Sequence, residues 1–179
     1  MNFKEIDLLT DNQKRVLPFS LTLFVIALDQ ITKLLIVLNI ELYSAKYRFL
    51  GDFLVITHAR NLNAAFGFGD DWPPVFKFIV LTIISTLFLV GLIVYCLRTD
   101  ELSLFQRWVI AGIIGGGTGN IIDRIFRPEG VVDFIDVKFY GLLGYERWPT
   151  FNIADSCIVI STVLLFVSII LSKKGKKSE

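Results

Sequence analysis

The chain has 179 residues, of which 54% are hydrophobic, with a mean hydropathy of +0.63 and a formal net charge of +1. That composition is too apolar for a water-soluble domain of this length and predicts an integral membrane protein. The near-neutral charge gives no basis for nucleic acid as a partner. A single histidine (His58), with no HExxH or CxxC spacing, argues against a His/Cys metal site.

Residues 1–16 are mixed in charge, and the apolar run from about Val16 to Ile40 is too long for the core of a cleavable signal peptide. It reads as a signal anchor that stays. Four segments reach the roughly 20 residues that a spanning helix needs: about 17–38, 75–97, 106–123 and 155–172. The third is the least apolar, because Gly112, Gly115, Gly116, Gly117 and Gly119 dilute it. Cys96 and Cys157 fall near opposite ends of their spans, too far apart to be bridged, and read as packing residues. The two polar segments, about 39–74 and 124–154, each follow an odd-numbered helix and therefore share one side of the membrane.

Orientation follows from the Lys/Arg bias. Lys4, Lys14, Arg15, Arg98, Arg107 and the tail KKGKK are dense on one side. Lys46, Arg48, Arg60, Arg127, Lys138 and Arg147 are dispersed over longer, acid-containing loops on the other. Both termini are expected in the cytoplasm. FLVITHAR (53–60) and VVDFIDVKF (131–139) are strand-like, and Asp71-Trp72-Pro73-Pro74 reads as the turn into the second helix. The expected fold is an α-helical integral membrane protein, one domain over 1–179. It has four transmembrane helices and a small extracytoplasmic β-rich cradle from about 41–70 and 126–150.

Polar residues in or beside apolar helices carry the functional signal, because they are costly there. Asp29 and Lys33 in LDQITK stand at i and i+4 on one face, which reads equally as a self-neutralising pair with Lys33 snorkelling outward or as part of a site. The glycines of GGGTGNIIDR (115–124) have the small-xxx-small spacing of close helix packing, with no P-loop lysine after them. Asn120, Asp123 and Arg124 come next, at the end of that helix. In VVDFID, Asp133 and Asp136 are an odd number apart and point to opposite strand faces, so periodicity leaves open which one faces a site. In FNIADS (151–156), Asn152 and Asp155 are both good helix N-caps, yet a cap needs only one of them. Asn61 lies on the same side.

This inventory fits paired carboxylates better than a serine nucleophile, since no GxSxG is present and a Ser156–Lys33 pair is the weaker alternative. Two close aspartates share one proton. The ionised member can then activate water while its partner donates to a scissile carbonyl. The ordered set DQITK, RNLNAAFG, GGGTGNIIDR, VVDFID and FNIADS resembles the lipoprotein signal peptidase (signal peptidase II) family. These are bacterial membrane aspartyl peptidases that remove the signal peptide of prolipoproteins immediately before a diacylglyceryl-modified cysteine.

The resemblance implies Asp133 and Asp155 as the catalytic pair. Asp29, Lys33, Asn61, Asn120, Asp123, Arg124 and Asn152 would position the pair, the substrate backbone or the lipid headgroup. It implies no cofactor and no metal. The implied partners are diacylglyceryl-modified prolipoproteins, membrane lipids and globomycin-type inhibitors. The implied location is the bacterial cytoplasmic (inner) membrane, multi-pass, with the active site near the outer face. One departure stands out: Leu62 and Asn63 replace the family's Thr and Gly after Asn61. NLNAAFGFG is expected to close over the peptide. Asn152 is expected to serve the helix backbone, leaving Asp155 free to face Asp133, and the helix dipole favours Asp155 as the charged member of the pair and Asp133 as the proton holder. The alternative reading is a small membrane transporter or proton relay, whose acids would be spread along the membrane depth. A non-enzymatic assembly factor is a further rival.

Overall fold

The computed structural model describes residues 9–63 and 67–175. Ala64, Ala65 and Phe66, the centre of the expected closing segment, lie outside the described residues, as does the end of the basic tail. Among the described residues, four helical segments are long and apolar enough to cross a membrane: Asp11–Asn39, Pro74–Arg98, Leu104–Phe126 and Ile153–Ser172. A three-stranded antiparallel sheet in the order β1-β2-β3 sits at one end of them, with β1 Ala45–Phe49, β2 Leu54–Asn61 and β3 Val131–Val137. The fold is thus a four-span helical membrane protein carrying a small sheet.

The spans differ in what surrounds them. In the most apolar window of the third span 61% of residues are buried inside the protein, against 28%, 17% and 6% for the first, second and fourth. The third span is therefore the axis of the bundle. The others turn Leu23, Phe24, Leu87 and Phe166 outward, as lipid-facing helices do. A helix surrounded by protein does not need the hydropathy that lipid demands, so its glycines can serve packing instead. At Gly119 an added Cβ would lie 2.6 Å from the Asp29 carboxylate, so only glycine lets the first and third spans approach there.

The third span starts with a capping box between Ser103 and Gln106. Buried Arg107 donates to the carbonyls of Cys96 and Thr99, closing the end of the second span. Within the second span, Ile79–Ile84 winds as a π-helix, a local widening that the apolar pattern did not signal. Ile36, Ile40, Val132 and Phe134 form a buried cluster, with Ile56, Ile135 and Ile153 against it, and this cluster seats the sheet on the helix ends.

The pairing of β2 with β3 slips by one residue between Ile56 and Ala59: Val55 faces Asp136, but Ala59 faces Asp133 and Asn61 faces Val131. This slip decides what stands beside Asp133. In the unslipped register the same-face diagonal neighbour of Asp133 would be Arg60; one extra residue in β2 makes it Asn61.

Candidate active site

The site is assembled where the third span ends, the fourth begins and β3 passes between them. Asp133 is 1% exposed, and Asn152, Asp123, Asp29 and Lys33 are each 0% exposed. Lys33 does not snorkel. Its ammonium meets Asp29 Oδ2 at 2.8 Å, Asp123 Oδ2 at 3.1 Å and Asn120 Oδ1 at 2.9 Å, one acceptor for each of its three donors. Full satisfaction is what makes a buried ammonium tolerable.

The two carboxylates of this cluster also reach outward. Asp29 Oδ1 accepts the Ala154 N–H at 3.0 Å, and Asp123 Oδ2 accepts the Val132 N–H at 3.0 Å. Each of these N–H groups belongs to the residue just before a candidate acid, Asp155 or Asp133. Gln30 donates to Asp29 Oδ2, Asp123 Oδ1 and the Gly119 carbonyl, and Arg127 binds Asp123 at 2.5 Å. Neither Gln30 nor Arg127 is among the site residues expected from the sequence. Gln30 lies inside the quoted DQITK, and Arg127 stands one helical turn after Asp123, so both had a positional signal.

Asn120 links the cluster to the acids. Lys33, which can only donate, holds the amide oxygen of Asn120, so its Nδ2 faces the other way and donates to Asp155 Oδ1 at 2.7 Å. Asn152 touches both acids. Its Nδ2 donates to Asp133 Oδ1 at 2.7 Å, and its Oδ1 accepts the Asp155 N–H at 2.9 Å. Asp155 Oδ2 accepts the Asn152 N–H in return, at 3.1 Å. The pair therefore caps the fourth span reciprocally, in the manner of a capping box. This corrects the expectation that Asn152 alone serves the backbone: Asp155 gives one oxygen to the cap and keeps the other for Asn120.

Asn61 Nδ2 donates to Asp133 Oδ2 at 3.0 Å. Burial, and next the negative charge of Asp155, push the Asp133 carboxyl up to about 7, against the lowering effect of the Asn61 and Asn152 hydrogen bonds. Arg124 lies within electrostatic range of Asp155, Asp133 and Asp123, and its Nε is buried without a partner among the described residues. A cavity of about 310 Å³ adjoins the acids rather than containing them. Asn61 and Arg124 lie on its wall beside Leu62, Phe78, Leu81 and the π-helical Thr82.

Asp136, the acid that periodicity could not separate from Asp133, is engaged elsewhere. Arg147 Nε holds both of its oxygens, at 2.7 and 2.8 Å. The structure thus brings Asp29, Lys33, Asn61, Asn120, Asp123, Asp133, Asn152 and Asp155 into one hydrogen-bonded network, with Arg124 beside it.

Comparison with known proteins gives a consistent answer. A family profile described as Signal peptidase (SPase) II matches residues 21–171. A lipoprotein signal peptidase of Treponema pallidum (strain Nichols) is 43% identical over 167 residues, covering 93% of this chain and 90% of the relative. Another, of Treponema denticola, is 48% identical over 155 residues, covering 87% and 89%. A solved bacterial membrane enzyme, determined by the in meso method at 2.3 Å resolution, superposes with a TM-score of 0.76 at 30% identity, covering 90% of this chain and 92% of that one.

Proposed function

This chain belongs to the signal peptidase II family and is a membrane peptidase of lipoprotein processing; from that premise we propose that Asp133 and Asp155 are its water-activating pair. The bond cut is the one immediately before the diacylglyceryl-modified cysteine of a prolipoprotein. The Lys/Arg bias supports an orientation with the sheet and both acids at the outer face of the bacterial cytoplasmic membrane and both termini inside. The observation that carries the reading is Asn152, whose one side chain donates to Asp133 and caps Asp155.

In this mechanism Asp133 holds the shared proton and Asp155 is the ionised partner. Asp155 takes a proton from a water that attacks the scissile carbonyl, while Asp133 donates its proton to the carbonyl oxygen. As the tetrahedral intermediate collapses, the proton on Asp155 passes to the leaving nitrogen, and the hydroxyl returns a proton to Asp133. The signal peptide leaves with a new carboxylate, and the lipidated cysteine keeps a free amine. Arg124, on the cavity wall, orients the substrate backbone. The lipid chains and globomycin-type inhibitors are expected in the adjoining cavity, whose apolar wall includes Phe78 and Leu81.

The test is cleavage of a diacylglyceryl-modified preprolipoprotein in detergent micelles. Asp133→Asn and Asp155→Asn should each abolish turnover, while Asp136→Asn should retain most of it. Normal cleavage by either of the first two variants sinks the pair.

A further inference from the structure

We propose that Asn63 is a positioning residue for the peptidase reaction: its side chain ties the end of β2 to the second span and so holds Asn61 on Asp133. The inference rests on the proposed acid pair. It starts from the position at which this sequence departs from the family's pattern, where asparagine stands in place of glycine.

Asn61 is the last residue of β2, so on its far side no strand continues to hold it. Its amide is oriented instead by the residue two positions later. The Asn63 N–H donates to Asn61 Oδ1 at 2.9 Å, which turns Asn61 Nδ2 toward Asp133. That turn lasts only if Asn63 is itself anchored, and two contacts anchor it. Lys77 Nζ, in the first turns of the second span, donates to Asn63 Oδ1 at 2.7 Å. Asn63 Nδ2 donates to the Asp70 carboxylate. One amide thus joins β2, the turn at Asp70 and a spanning helix, using both its donor and its acceptor.

Glycine at this position has no side chain to make either bond, and it leaves the backbone freer. The neighbouring Leu62 is 58% exposed and adds no polar tie. Phe68, Trp72 and Phe76 stack edge to face at 4.8 and 5.0 Å, giving residues 68–76 support that does not depend on Asn63. A variant at Asn63 is therefore expected to keep its fold and lose the alignment of Asn61.

The experiment uses the full chain in micelles with the lipidated preprolipoprotein, and compares Asn63→Gly, Asn63→Ala and Lys77→Met. Each should lower kcat about tenfold while KM changes by less than about twofold, the pattern of a displaced catalytic group rather than lost substrate binding. The double variant Asn63→Ala/Lys77→Met should be no worse than either single one, because both remove the same tie. Asn63→Asp sets two carboxylates together and should lose activity. Adding Asp70→Asn restores one donor and one acceptor between the two positions and leaves Lys77 an acceptor, so this exchange should return kcat to within about twofold of the starting protein. Undiminished kcat in Asn63→Gly, or no recovery in the exchange, overturns the positioning role. An inactive Asp133→Asn beside a fully active Asn63→Gly overturns that role alone, whereas an active Asp133→Asn overturns the acid pair beneath it.

Discussion

Two ion networks in this protein use the same residue types and have opposite properties. Lys33, Asp29 and Asp123 form one inside the bundle, where every side chain is 0% exposed. Lys138, Asp52, Arg147 and Asp136 form the other on the sheet, where Lys138 is 23% and Asp52 45% exposed. In water the second network is screened and can exchange partners. In the bundle water cannot stand in for a lost partner, so Lys33 and Asp29 depend on each other, whereas Asp123 also has Arg127. The first network also fixes the backbone on which the candidate acids stand, through the Ala154 and Val132 N–H groups. The surface network shifts Asp52 below its usual carboxylate range, chiefly through the Lys138 hydrogen bond, and ties down the β1–β2 turn. Burial thus turns an ordinary ion pair into an obligatory part of the framework.

The two networks should differ most when Lys33 is lost. Lys33→Met leaves Asp29 buried without its cation and Asp123 with Arg127 alone, and should cost about 3–5 kcal/mol of stability together with most turnover. Thermal unfolding in micelles and the cleavage assay measure the two losses. Asn120→Leu keeps the cluster's ion pairs but removes both the third acceptor of Lys33 and the link to Asp155; kcat should fall about 100-fold, the order expected for losing one oriented donor at a catalytic site, with a smaller change in Tm than at Lys33. Gly119→Ala pushes a methyl toward Asp29 and should lower both Tm and kcat, to a lesser degree.

The pH dependence of turnover should carry the mark of Asp133. Asp133 sits near 7, so kcat/KM should decline as pH rises through about 7 and the proton it donates is lost. Asn61 stabilises the ionised form of Asp133 by donating to it. Asn61→Leu therefore raises its pKa, and this alkaline decline should move to higher pH while the rate falls. The smallest effect is expected on the sheet. Lys138→Met with Asp52→Asn should leave kcat, KM and the pH profile unchanged in the same assay, and a large loss of turnover there would erase the distinction between the networks.

The sequence made some parts of this arrangement legible and left others dark, for identifiable reasons. Spans are visible because each is a continuous local property: about 20 apolar residues in a row. The cost of a polar group in such a run also made Asp29, Lys33, Asn120 and Asp123 conspicuous without any tertiary knowledge. Periodicity assigned faces but not partners. It placed Lys33 and Asp29 together, yet could not tell an outward ammonium from one held by three acceptors. Nor could it separate Asp133 from Asp136; the family resemblance made that choice, and the structure shows Asp136 occupied by Arg147. Asn63 looked like a mere departure from a motif, because its partners Lys77 and Asp70 lie 14 and 7 residues away.

The membrane class, the number of spans, their shared end and the roster of polar groups near it can all be read from the chain alone. These depend on composition and on spacing along one segment at a time. Which of these groups meet depends on how the segments pack. The one-residue slip in β2 brought Asn61 rather than Arg60 to Asp133. Lys33's demand for a third acceptor turned Asn120 toward Asp155. The start of the fourth span made Asn152 and Asp155 cap each other while Asn152 reached Asp133. Each of these outcomes sets the donors and acceptors of one segment against those of another, and that matching exists only once the segments are packed together.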